Sequence, residues 1–175
     1  MRTLAAALTI ALGLAGQGQA SASARSADTA VSSLVTYAGQ HALTKNASMS
    51  LTQKEGSWWL SIGAGKPVLI EPESAGGWRV PSLGIHLSPD EGGTLWLSRY
   101  GERIAVAGAG AVLPAGRSTE QSIADLTPRA MVAFNVPGVS IALVRDRKLA
   151  WLAHYGVAAA GRPEKVDADT IFEAA

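Results

Sequence analysis

Nucleophilic hydrolysis needs a hydroxyl or thiol beside a base, and the sequence offers few places for such a pair. Cysteine is absent, so there is no thiol nucleophile, thiolate metal site or disulfide. A serine three residues ahead of a lysine, at the opening of a helix, sets its hydroxyl beside an amine. None of the five lysines has that partner: the residues at that spacing are Ala42, Leu51, Gly63, Arg145 and Arg162. Pro81-Ser82-Leu83-Gly84 comes nearest to a nucleophile elbow, but Val80 stands where G-x-S-x-G requires its first glycine. No residue within 1–175 is therefore assigned a catalytic role.

Other chemistries fare no better. Gly63-Ala64-Gly65-Lys66 resembles the end of a phosphate loop, yet Leu60 replaces the first glycine and Pro67 the magnesium-binding hydroxyl residue. Gly108 and Gly110 lack the third glycine of a dinucleotide fingerprint, because position 113 is leucine. His41, His86 and His154 are too far apart in sequence for a paired metal motif, so surface or hydrogen-bonded core roles are expected. No metal or organic cofactor is implied. Trp58, Trp59, Trp78 and Trp96 fit core and cross-strand packing, with a carbohydrate- or peptidoglycan-binding face as the alternative. Adjacent Trp58 and Trp59 must point to opposite faces of any strand that carries them.

The elements that would position a site lie in a chain of 175 residues with formal net charge +1, 47% hydrophobic and 17% charged residues. That is the balance of a globular protein. Its 15 basic residues are scattered and nearly matched by 14 acidic ones, which excludes a nucleic-acid surface built on clustered charge. Residues 1–24 begin with Arg2, continue through an apolar stretch and end in small residues, the order of a secretory signal peptide. The apolar stretch is about half the ~20 residues that span a bilayer. No stable membrane span is expected after signal removal, with an uncleaved anchor as the alternative, and the expected location is periplasmic or secreted.

Between residues 34 and 107, short alternating apolar runs recur with glycine-rich turns between them. They predict six or seven antiparallel strands at 48–52, 58–62, 68–70, 78–80, 85–87, 94–98 and 103–107, in a small β-sandwich or barrel-like domain. Residues 108–117 form a Gly/Ala linker. The period then lengthens to that of a helix, capped by Ser118 or Thr119, with Ile123, Leu126, Ala130, Met131 and Phe134 on one face. Pro128 would kink or split it. A hairpin follows, placing Val139, Ile141 and Leu143 on one face of its first strand and Leu149, Trp151, Ala153 and Tyr155 on one face of its second.

The order of the last segment carries a family resemblance. A helix leads into Val136-Pro137-Gly138-Val139-Ser140-Ile141-Ala142-Leu143-Val144, then Trp151 and Tyr155-Gly156-Val157-Ala158, and a polar loop reaches Asp169-Thr170-Ile171-Phe172. It resembles the opening of serine hydrolases of the β-lactamase and penicillin-binding-protein type, in particular those related to class C β-lactamases. His154 stands where the family's Gly-Tyr-Gly turn has its first glycine. Less specifically, the β-module resembles a small domain often appended to these hydrolases, through Tyr37-Ala38-Gly39-Gln40-His41, Gly65-Lys66-Pro67, Pro72 and Tyr100-Gly101-Glu102-Arg103.

The resemblance implies an α+β fold in which a small antiparallel β-domain (34–107) precedes the opening helix and hairpin of an incomplete β-lactamase-like domain (118–175). It implies an N-terminal portion of an exported hydrolase working through an acyl-serine. The S-x-x-K nucleophile is expected just after Ala175, so 1–175 alone would be inactive. Substrates of the full-length enzyme would be small-molecule esters, amides, β-lactams or peptidoglycan-like compounds. The alternative is a non-catalytic periplasmic β-domain acting as a binding or interaction protein.

Overall fold

A computed structural model describes residues 34–74, 76–108 and 116–172. The expected export segment, most of the 108–117 linker and Glu173, Ala174 and Ala175 lie outside the described residues. The architecture is mixed α+β: an antiparallel sheet is followed by one helix and a smaller β-element.

Eight strands follow one another in chain order: β1 (Gly39–Thr44), β2 (Ala47–Lys54), β3 (Ser57–Ile62), β4 (Val68–Pro72), β5 (Trp78–Val80), β6 (Ile85–Pro89), β7 (Leu95–Arg99) and β8 (Glu102–Ala107). Alternation decides which face is inside. Met49 and Leu51, Trp58 and Leu60, Trp78 and Val80, Ile85 and Leu87, Leu95 and Leu97, and Ile104 and Val106 are i, i+2 pairs, and all are buried. Each large apolar side chain so buried contributes roughly 1.5–3 kcal/mol. Tight turns keep the strands adjacent. At Tyr100 and Gly101, φ values of 54° and 77° give the two successive left-handed residues of a hairpin turn whose twist matches the strands.

The expected six or seven strands become eight because Gly39–Thr44 is β1, a strand the hydrophobic pattern did not reveal. Only Leu43 of its six residues is fully buried, and Met49 of β2 faces His41 across the ladder. The sheet curls until β1 and β8 touch without pairing, the barrel-like of the two expected arrangements.

Helix α1 (Thr119–Phe134) lies against β1, β2 and β8. Ser118 caps it: its hydroxyl accepts from the Gln121 N–H at 3.2 Å, and its own N–H donates to Gln121 Oε1 at 3.0 Å. Pro128 neither splits the helix nor ends it. Its ring is buried, and the donor it removes is one that would have served exposed Ala124, a turn back. The expected apolar face is corrected in part. Met131 is buried, but Leu126 and Phe134 are exposed, and the inward side is Thr127, Pro128, Arg129, Met131 and Val132. Contact with the sheet, rather than hydrophobicity along the helix, sets that orientation.

The second sheet is the hairpin of β9 (Gly138–Arg145) and β10 (Lys148–Gly156), which rests on α1. Trp151, Ala153 and Tyr155 pair with Leu143, Ile141 and Val139, as the alternation predicts. Leu149 is the exception. Ala150 is bulged out, so Leu149 pairs with Val144 on the other face, where both are exposed.

Candidate functional site

Two of the segments that carry the family resemblance, Val136-Pro137-Gly138 and Tyr155-Gly156-Val157, fold into one packed junction. Asn135 ends α1 in the left-handed conformation, its N–H and that of Val136 both reaching back to Met131 O. Pro137 O then accepts from Val157 N–H at 2.8 Å, and Gly156 O accepts from Val166 N–H at 3.1 Å. Gly138 and Gly156 are partners across the hairpin. A Cβ on Gly138 would meet Val166 Cγ2 at 2.5 Å, and one on Gly156 (φ 78°) would meet Met131 Cε at 2.5 Å and the Pro137 carbonyl closer still. Val-Pro-Gly and Tyr-Gly-Val are thus two halves of one close approach between helix end and hairpin.

The β7–β8 turn locks onto this junction. Asn135 Oδ1 accepts from Arg99 Nη2 at 2.6 Å and from the Tyr100 hydroxyl at 2.7 Å. Glu102 Oε1 accepts the Gly156 N–H at 2.8 Å, and Lys165 Nζ donates to Gly101 O at 3.3 Å. Tyr155 nearby has its phenol pushed up by burial, with Glu102 and Asp125 adding to the effect. Tyr100, Gly101 and Glu102 were singled out in the sequence; their partnership with Asn135 and Gly156 was not. It spans more than thirty positions, and no local signal announces it.

In the polar loop, Asp167 rather than Asp169 organises the Asp-Thr turn. Its Oδ1 accepts from the Thr170 hydroxyl at 2.7 Å and from Asp169 N–H at 3.1 Å, and Asp167 N–H donates to Thr170 Oγ1. The Thr170 bond above all holds the Asp167 carboxyl below its ordinary range; His154 contributes a smaller attraction. Ile171 and Phe172 project outward, at 93% and 47% exposure.

One nucleophile–base contact occurs that sequence reasoning missed. Ser140 and His154 are partners across the hairpin, and Ser140 Oγ lies 3.0 Å from His154 Nδ1. The bulge at Ala150 shifts the count by one, so stepping back from the turn pairs His154 with Val139, and the contact is hidden from a reading of the sequence. Ser140 is exposed on a two-stranded sheet, and the pair has the form of a cross-strand contact. His41 bonds Tyr37 O at 2.7 Å and His86 bonds Glu73 Oε1 at 3.0 Å, both in hydrogen-bonded settings. No group of three potential metal ligands occurs among the described residues.

The remaining motifs resolve as local structure. Gly65 closes a turn onto Ile62 O, and Pro81–Leu83 is a single 3-10 turn ended by left-handed Gly84. Trp58 and Trp78 are core. Trp59 and Trp96 lie on the other face, where Trp96 donates to Asp90 Oδ2 at 2.8 Å and Arg103 stacks 4.4 Å from its ring.

Compared with family models, curated proteins and solved structures, the chain has no match in any of the three.

Proposed function

We propose that residues 118–172 are the opening helix and hairpin of a β-lactamase-like serine hydrolase domain, and that the chain is the N-terminal portion of such an exported enzyme. The reaction would be acyl transfer: a serine hydroxyl outside 1–175 attacks the carbonyl, the leaving group departs, and water cleaves the acyl-serine. Substrates are small esters, amides, β-lactams or peptidoglycan-like compounds.

The observation that supports this reading is the β9–β10 sheet itself. Two strands alone are marginal in water, and this pair leaves Val144, Leu149 and Leu152 exposed, while Phe134, Ile171 and Phe172 of the flanking segments are exposed as well. Such a surface suits a hairpin joined by further strands. The decisive test is the coding sequence downstream of the Ala175 codon. An S-x-x-K within a few codons is expected, and a nitrocefin or p-nitrophenyl ester assay on the extended chain should give turnover that a serine-to-alanine variant abolishes. Absence of the motif in every frame overturns the proposal.

A second reading, a non-catalytic periplasmic binding or interaction protein, draws support from how firmly the helix is held. Val132 joins the core of the large sheet and Glu102 ties down Gly156. Hydrogen exchange separates the two: strong protection over 140–152 in the isolated chain favours the binding protein, and fast exchange there favours the hydrolase fragment.

A further inference from the structure

The outer face of β1, β2 and β3 carries a neutral polar surface beside one tryptophan. Because Trp58 is in the core, its neighbour Trp59 points outward, where it pairs with Thr52 on β2 and with Leu69 on β4. Trp59 is half-buried and its Nε1 is covered, so what it shows to solvent is ring carbon. Leu69, 42% exposed, extends that hydrocarbon. One step along the strands, Gln40, Ser50 and Ser61 form a row of direct cross-strand partners. Diagonal neighbours on one face of a sheet lie within about 7–8 Å, so this row adjoins Trp59. Within the three strands Lys54 is the one lysine, arginine or acid, and it sits at the end of β2 beside Glu55.

Toward the β1–β2 turn the face deepens into an open cleft of about 450 Å³, inside the range of about 300–1,000 Å³ usual for small-molecule sites. Gln40, Thr44, Asn46 and Ser48 line it, and Lys45 is the one charged residue among its walls. Gln40 Nε2 donates to Ser48 Oγ at 2.8 Å, which orients the amide. The remaining hydrogen and the oxygen of that amide, the Asn46 side chain and the Ser50 and Ser61 hydroxyls are used by no described protein group. These groups both donate and accept, and no carboxylate stands among them. A ligand that satisfies them is neutral and rich in hydroxyls, and to cover Trp59 and Leu69 it must also present a C–H face. Sugar rings have both properties. The Ser48 and Trp59 rows are four residues apart along β2, about 14 Å, so the ligand is a short chain of rings.

We propose that the outer face of β1, β2 and β3 binds a neutral oligosaccharide, with Trp59 packing on one ring and Gln40, Asn46 and Ser48 bonding the hydroxyls of another. The site is independent of the hydrolase reading, since none of its residues lies in 118–172.

The test is titration of the chain with cellotriose and with maltotriose, followed through its backbone amides by NMR. Saturable shifts grouped on β1, β2 and β3 are expected with at least one of them, and the tighter of the two identifies β- or α-linked rings. Trigalacturonate, which adds carboxylates, should bind more weakly. Trp59→Ala should weaken binding roughly tenfold, with the fold checked by circular dichroism. Gln40→Ala alters an exposed side chain and should weaken binding several-fold even if Trp59→Ala does not fold. No saturable shift with either neutral trisaccharide, tighter binding of trigalacturonate, shifts centred outside these strands, or unchanged affinity in Gln40→Ala or in a folded Trp59→Ala overturns the proposal.

Discussion

Gly138 and Gly156 face each other across the β9–β10 hairpin, and neither has room for a side chain. The two positions are crowded by different parts of the molecule: Gly138 by Val157 and Val166 of the returning loop, Gly156 by Pro137 and Met131 of the helix end. The pair therefore holds helix, hairpin and loop in one arrangement. The β7–β8 turn, through Glu102, fastens that arrangement to the large sheet.

Gly156→Ala should accordingly destabilise the chain by roughly 2–4 kcal/mol, since a Cβ there meets the Pro137 backbone as well as a flexible methionine end. Gly161→Ala is the control. Its φ of 80° is equally left-handed, but nothing lies within 4 Å of the added carbon, so only the backbone term of about 1 kcal/mol is expected. Urea unfolding of the two variants checks this, and equal losses would remove the steric part of the explanation.

The helix start offers a second test. Ser118→Ala removes the hydroxyl that accepts from Gln121 N–H and should cost about 1 kcal/mol. Ser118→Asp should retain most of the stability, because its carboxylate can accept the same bond near the positive end of the helix. Thermal unfolding of both is the measurement; a loss in the aspartate variant matching that in the alanine variant contradicts the capping role.

Acid should weaken the fold through Asp90 and Asp167. The Trp96 indole, then the Thr94 N–H, hold the Asp90 carboxyl below its ordinary 3.8, and the Thr170 hydroxyl chiefly does so for Asp167. A carboxyl with a lowered folded pKa contributes stability that is full above its unfolded value and disappears as pH falls through the folded one. Urea midpoints should therefore decline as pH drops past 3.8. The Asp90→Asn, Asp167→Asn double variant should show a shallower decline, and an unchanged slope rejects the assignment.

What was legible in the sequence was whatever depends on neighbours along the chain. Seven strands announce themselves because i, i+2 apolar pairs such as Ile85 and Leu87 are bounded by turn residues, and the Ser118 cap is a local pattern. What was hidden depends on contacts between distant segments. β1 is an edge strand with one fully buried residue, so its hydrophobic signal is weak. The Ala150 bulge reverses Leu149 without any glycine to mark it. Leu126 and Phe134 satisfy the helical period yet face outward, because sheet contact selects a different stripe. At the junction, the words Val-Pro-Gly and Tyr-Gly-Val were readable, but their dependence on Arg99, Glu102 and Asn135 crosses the chain.

The exposed side of the hairpin gives the prediction that bears most directly on function. Leu152 is 43% exposed, with Leu149 and Val144 more so. In the chain of 175 residues, Leu152→Lys should change stability by no more than about 0.5 kcal/mol, since little burial is lost. It should also lower self-association at high concentration, measured by sedimentation, because a charge interrupts an apolar patch on an unpaired strand pair. In a longer chain in which further strands cover this face, the same lysine would be buried and should cost about 3 kcal/mol or more. The contrast between the two lengths reads out whether this surface is a solvent face or one half of a core. A lysine tolerated equally in both weakens the hydrolase proposal.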